Sequence, residues 1–345
     1  MRVLLTGYNG YIGSMMGPAL RAAGHEVTGL DTGYFAECTL FEEAGTPAYI
    51  RKDIRRLSAA DLAGFDAVIH LAALSNDPIG NLRASWTRDI NVDATTRLAE
   101  LARDAGVGRF LFASSCIMYG TSSDLDVTEE APLAPETEYA RSKAASEEAL
   151  RRLATPGFSP VLIRNGTVYG LSPRMRFDTV FNNFVGQAVA TGRIVVFSNG
   201  LPWRPVVHVR DICRSFIQFL EAPREAVHNQ AFNNGVSHLN HRVRELAEIV
   251  LQVVPGTKLE IRGDASADQR TYKADFSKFA RTFPDFRFEW TAEKGGRELY
   301  GALRKLDLTP EMFESPSFTR LKHLTALLND GRLDDQLYWT RGTAR

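Results

Sequence analysis

The chain has 345 residues, 44% hydrophobic and 24% charged, ordinary proportions for a globular protein with room for one large domain or two moderate ones. Lys+Arg and Asp+Glu both total 41, a formal net charge of zero, which excludes a general electrostatic pull toward nucleic acid or an anionic membrane. The three cysteines, Cys38, Cys116 and Cys213, are scattered and odd in number, so neither a disulfide framework nor a metal site is expected, and a reducing cytoplasm fits.

The first predicted element is a strand over Arg2–Thr6. Gly7, Asn9 and Gly10 interrupt its apolar run before a secretory core can form, and no later apolar stretch is long enough to span a bilayer. A helix is predicted over Ser14–Ala23, then strands over Glu26–Leu30, Ala48–Ile54 and Asp66–Leu71. A long helix follows over Trp86–Ala105, with Leu98, Leu101 and Ala102 on one face. Arg109–Ser115 reads as a strand, Glu136–Leu153 as a helix and Pro160–Asn165 as a sixth strand. Such alternation predicts an α/β fold, a doubly wound parallel sheet with helices on both faces. After about residue 170 the alternation breaks down among prolines and glycines, with helices expected over Arg242–Val253 and Phe318–Leu328. This second half, 171–345, reads as a smaller C-terminal α/β domain. Thr340–Arg345 are expected to fray.

Thr6-Gly7-Tyr8-Asn9-Gly10-Tyr11-Ile12-Gly13 joins the first strand to the first helix. Glycines allow a sharp turn and a close approach to a pyrophosphate, and the helix N-terminus offers free N–H groups to the anion. Asp31, at the end of the second strand, is placed to accept bonds from an adenosine ribose. Its charge would repel a 2′-phosphate and so favours NAD over NADP.

Tyr139-Ala140-Arg141-Ser142-Lys143 sets Tyr139 and Lys143 one helical turn apart on one face. A neighbouring ammonium is expected to lower the phenol's pKa and make it a usable acid/base. Ser115 closes a parallel strand at the carboxyl end, where ligands bind, and could hydrogen-bond a substrate oxygen. The bland readings are a solvated helix face and a strand-capping serine.

Together with Asp53-Ile54, His70-Leu71-Ala72-Ala73, Asn91, Ser114–Gly120, Arg164–Gly170, Gly200–Val209 and Arg270 ahead of Asp275–Lys278, these motifs occur in an order that resembles the extended short-chain dehydrogenase/reductase family, in its nucleotide-sugar epimerase/dehydratase group. The resemblance spans roughly residues 1–280. It implies a Rossmann-type dinucleotide-binding domain over 1–170, with a returning segment near 204–235, and a substrate-binding domain over 171–345. It implies NAD as cofactor, with Gly7, Asn9, Gly10, Tyr11, Ile12 and Gly13 at the pyrophosphate and Asp31 at the ribose. Asp53 and Ile54 would flank the adenine. Leu71, Ala72, Ala73, Asn91 and Ser114 would lie along the cofactor. The implied catalytic residues are Ser115, Tyr139 and Lys143, with Lys143 also on the nicotinamide ribose. A nucleotide-diphosphate sugar would meet Ser75, Cys116, Thr167 and Asn183, its diphosphate gripped by Arg204 and Arg270. A homodimer through the helices near 86–105 and 136–153 is implied as well.

Four positions depart from that pattern. Cys116 and Ile117 stand where the group's 4,6-dehydratases carry an Asp-Glu acid/base pair, and an alkyl chain cannot move a proton. Thr167 and Pro205 replace an asparagine and an aspartate. His208 reads as packed near the core rather than catalytic. The leading reading is therefore an NAD-dependent epimerase that oxidises the sugar, at C4, to a ketone and reduces it again. Two alternatives stay open: an NAD(P)H-dependent ketoreductase of a 4-keto-6-deoxy nucleotide sugar, and an NAD-sensing binding module on the same fold.

Overall fold

Short strands that are apolar on both faces need helices above and below them, and the chain supplies both. The computed structural model describes residues 1–345 apart from 42–48, 76, 123–125, 265–267, 269 and 341–345. Seven strands form the main sheet: β1 (Arg2–Thr6), β2 (Glu26–Asp31), β3 (Ile50–Arg51), β4 (Ala67–His70), β5 (Arg109–Ser115), β6 (Ser159–Asn165) and β7 (Gln230–Asn234). Every pairing is parallel. The spatial order is 7-6-5-4-1-2-3, so winding reverses between β1 and β4. An open sheet leaves its ligand crevice at such a reversal, beyond the carboxyl ends of the strands.

The longer helices are α1 (Gly13–Ala22), α2 (Ala94–Asp104), α3 (Glu138–Leu153), α4 (Val180–Thr191), α5 (Val209–Glu221), α6 (Val243–Val253), α7 (Ala292–Lys305) and α8 (Arg320–Asn329). Alternation along each strand splits the sheet's core in two. Leu4, Val68, Phe110 and Leu162 pack with Leu98 and Ala102 of α2 and Leu150 of α3. Val3, Leu5, Ile69, Leu111 and Val161 pack with Met16 and Leu20 of α1 and Phe216 and Phe219 of α5. A third core, from Phe181, Val185, Leu246, Val250, Leu299 and Leu303, holds α4, α6 and α7 together. Among the described residues no helix is long and apolar enough to cross a membrane.

The predicted strands Arg2–Thr6 and Arg109–Ser115 form with those bounds. The predicted helix over Trp86–Ala105 does not run unbroken. Ala84–Thr87 is α-helical, Arg88–Asp93 widens to a π-helical turn, and α2 begins at Ala94. That wide turn places Asn91, whose side chain accepts from Leu74 N at 2.8 Å and donates to Leu74 O at 3.0 Å. The expected strand over 48–54 shrinks to Ile50–Arg51. Asp53 ends it by accepting from Arg55 N at 2.8 Å, capping a 3₁₀ turn over Ile54–Arg56; residue 48 and residues 341–345 of the stretch 340–345 expected to fray lie outside the described residues, whereas Thr340 donates its N–H to Arg332 O at 3.1 Å.

The chain's far end departs from the two-part division in one respect. Leu324 and Leu327 of α8, with Leu333 and Leu337, join the core that contains Leu4 and Leu30. Residues 320–339 thus return to the first half instead of extending the second.

Candidate active site

A cavity of about 500 Å³ opens over the strand ends where the winding reverses. The turn between β1 and α1 forms its floor. Gly7 has a φ of +72°, and a Cβ there would lie 2.7 Å from Ala72 N. A Cβ on Gly13 would overlap the Gly7 carbonyl oxygen. Only glycines let this turn fold so tightly against the loop after β4. Gly7, Gly10, Tyr11, Ile12 and Gly13 all line the cavity.

Asp31 stands beside the turn. Its carboxylate accepts from Gly33 N at 2.6 Å and Asn9 N at 3.1 Å. Burial still outweighs these bonds and raises its pKa, as expected of a carboxylate walled in by protein with capacity for another donor. Asn9 does not line the cavity; it braces Asp31 and accepts from Arg174 Nε at 2.7 Å. Asp53, Ile54, Leu71, Ala72, Ala73 and Ser114 border the same space. A glycine cradle at a helix N-terminus, next to a carboxylate short of donors, suits the pyrophosphate and ribose of a dinucleotide.

Farther along, α3 presents Tyr139. Thr137 caps this helix, accepting from Ala140 N at 3.2 Å and donating to Asp77 Oδ1 at 2.6 Å. One turn on, Lys143 Nζ lies 5.7 Å from the Tyr139 ring centre and donates to Ala113 O at 2.8 Å. Ser115, at the end of β5, accepts from Ile117 N at 3.3 Å. All three line the cavity.

The electrostatics differ from the expectation of a lysine-lowered phenol. Burial pushes Tyr139 well above its ordinary range, and the opposing charge is the Arg176 guanidinium. Burial also pulls the Lys143 ammonium down to about 7. Desolvation of both groups exceeds their mutual effect. With protein groups alone, Tyr139 is a protonated phenol beside a lysine that is easily neutralised.

The opposite wall comes from the second half and is made of arginines. Arg270 donates through Nη2 to Asp77 and Asp268, each at 2.7 Å. Arg204 Nη2 is 2.9 Å from Asp268, and Arg204 also bonds the Arg270 carbonyl. Burial alone would raise Asp268, yet the two guanidiniums hold it at about 2. Arg176 pairs with Asp178 at 2.8 Å and donates to Ser75 Oγ at 3.0 Å. Sequence reading placed Arg204, Arg270, Ser75 and Thr167 here, and they are here. It missed Arg176, Asp178, Asp77, Asp268, Tyr34, Phe35 and Arg320, which sit in loops or open helices with no recognisable motif.

Besides Asn9, three expected contacts lie elsewhere. Cys116 is fully buried, its thiol on the Arg164 carbonyl at 3.1 Å, because the 3₁₀ turn after β5 points it into the core and sends Ile117 to the cavity. Asn183 is spent on Phe177 O, at 2.7 Å, and on Gln187. Asn91 lies behind the wall, fixing Leu74 and donating to Ser142 at 3.1 Å.

Comparison with known proteins adds the family. Residues 3–235 match the model described as the NAD dependent epimerase/dehydratase family. A UDP-glucose 4-epimerase of Streptomyces lividans is 30% identical over 279 residues, covering 73% of this chain and 80% of the relative. A dTDP-glucose 4,6-dehydratase of an Actinoplanes species is 30% identical over 298 residues, covering 81% and 91%. The crystal structure of DesIV, a dTDP-glucose 4,6-dehydratase from Streptomyces venezuelae with NAD and TYD bound, superposes with a TM-score of 0.78 at 27% identity, over 92% of this chain and all of that one.

Proposed function

Since the chain belongs to the NAD-dependent epimerase/dehydratase family, we propose that it is an epimerase of a nucleotide-diphosphate sugar, working by transient oxidation at C4 and re-reduction. NAD is the cofactor, and the glycine turn, Asp31, Asp53, Ile54, Leu71 to Ala73, Ser114 and Lys143 would hold it. When bound, NAD supplies a hydride acceptor that can return what it takes. Tyr139 first releases its own proton to solvent, a step that the Arg176 guanidinium and the cationic ring of bound NAD would favour, and as phenolate it takes the proton of the sugar hydroxyl and later gives it back. Ser115 hydrogen-bonds the same oxygen as it changes from hydroxyl to carbonyl. Arg204 and Arg270 take the sugar's diphosphate, exchanging Asp77 and Asp268 for phosphate oxygens. Residues 1–170 with β7 serve the cofactor, and the second half serves the sugar nucleotide.

One observation carries the choice of epimerisation over dehydration. Removing water needs separate groups to take a carbon-bound proton and to protonate the departing hydroxyl. The two positions after Ser115 are a buried thiol and an alkyl chain. Epimerisation needs only the one acid/base that Tyr139 provides. The same reading takes the protein as a cytoplasmic homodimer joined through the helices near 86–105 and 136–153; its cysteines are free and buried.

The test has two steps. The purified protein is denatured and any released nicotinamide nucleotide is identified by mass spectrometry. The native protein is then incubated with UDP- and dTDP-hexoses and followed by proton NMR. Stoichiometric NAD and inversion at C4 support the proposal. A 4-keto-6-deoxy product would assign a dehydratase, and net consumption of NADH or NADPH with a keto-sugar would assign a reductase.

A further inference from the structure

The family model ends at residue 235, yet a residue well beyond it lines the cavity. Arg320 opens α8 and is only 3% exposed. Its Nη2 donates to Arg174 O at 2.8 Å, and its guanidinium lies 4.4 Å from the centre of the Phe35 ring. Its Nη1 has no hydrogen-bond partner. The nearby carboxylate Asp178 is ion-paired with Arg176 and accepts the Arg320 backbone N–H at 3.3 Å. A buried cation with an unmade hydrogen bond is costly, and burial pulls Arg320 down to about 10. Arg320 lines a cavity floored by a glycine turn, and its open Nη1 suits an anion there.

The chain after Arg320 is fastened across the same end of the cavity. His323 bonds Tyr34 O at 2.9 Å, and Trp339 Nε1 donates to Thr32 O at 2.7 Å. Arg55 Nη1 donates to Gln336 O at 2.7 Å, and Tyr34 bonds the Leu337 carbonyl. Thr32, Tyr34 and Phe35, which follow Asp31 directly, line the cavity with Arg320. We propose that Arg320 is a ligand for the diphosphate of the bound dinucleotide, delivered by a C-terminal strap, residues 320–339, that closes the adenosine side of the site. This rests on the assignment of NAD above. A diphosphate could also come from the sugar nucleotide. The neighbours of Arg320 are those of Asp31, whereas Arg204 and Arg270 gather around Asp268, so the cofactor is the assigned source.

Calorimetric titration of the full-length protein, stripped of nucleotide, with NAD and separately with UDP tests this. Arg320→Met should weaken NAD binding about 10- to 100-fold, the loss expected for a charge-assisted hydrogen bond, and leave UDP binding unchanged. Arg320→Lys keeps the charge without the fork and should weaken NAD binding by a smaller factor; it carries the test if Arg320→Met loses its native circular dichroism. Unchanged NAD affinity in either folded variant overturns the proposal. Loss of UDP affinity with NAD affinity intact overturns it too, by giving Arg320 to the sugar nucleotide. A wild-type protein that binds no NAD at all refutes the underlying cofactor reading instead.

Discussion

The two walls of the cavity are built on different terms. The wall of strand ends, with the glycine turn, Ser115, Tyr139 and Lys143, is set by the backbone: parallel strand register, a turn that admits no Cβ at Gly7 or Gly13, and a helix capped by Thr137. The facing wall, Arg176, Arg204 and Arg270, is set by side chains held in ion pairs with Asp178, Asp268 and Asp77. A wall fixed by the sheet cannot yield, which suits groups that must meet one reacting bond. A wall of ion pairs can trade a carboxylate for a phosphate without moving the backbone, which suits binding. On the proposed function, chemistry belongs to the first wall and affinity to the second.

The most direct way to break that division is Tyr139→Phe. Turnover should fall about 10²- to 10⁴-fold, the usual worth of a positioned acid/base, while the Kd of the sugar nucleotide stays put. Loss of binding in parallel would show that the first wall also grips substrate. A smaller effect belongs to the arginine wall. Arg270→Met should raise KM about 10- to 100-fold with kcat nearly unchanged. Equal falls in kcat and kcat/KM would place Arg270 in the reaction itself.

The smallest effect sharpens the first wall's electrostatics. Folded Lys143 releases its proton near 7, whereas an unfolded lysine keeps it to about 10.4. Between these values the unfolded chain binds more protons, so stability rises with pH across that window and is lowest below it. Urea melts from pH 7 to 9.5 should show this rise, on the order of 1 kcal/mol or more, and Lys143→Met should lose it. A slope that survives in the variant would mean that Lys143 is not the buried cation responsible.

The strand-end wall was legible in the sequence because its residues obey local rules. Gly7, Gly10 and Gly13 sit where a strand becomes a helix, Asp31 ends the next strand, and Tyr139 and Lys143 are one turn apart. Short apolar runs bounded by turn and helix signals likewise revealed β1 and β5 to the residue. The arginine wall was half legible: Arg204 and Arg270 were found through ordered motifs, but Asp268 and Asp77, which neutralise them, depend on long-range contact. Arg176 and Arg320 lie in irregular or unmatched sequence, and burial alone gives them meaning. Helical periodicity also concealed the π-helical turn at Arg88–Asp93, since one inserted residue in a helix leaves its composition unchanged. His208, read as packed, is fully buried, with its ring stacked on Trp290 at 3.9 Å and Nε2 3.0 Å from Glu298.

The strap has a consequence for biogenesis. Tyr34 and Leu337, joined by a hydrogen bond, are 303 positions apart in the chain. During synthesis the glycine turn and β2 emerge long before α8 can reach them, and so wide a loop closes late. A nascent chain can therefore hold a finished sheet while the adenosine end of its crevice still stands open to water and to chaperones.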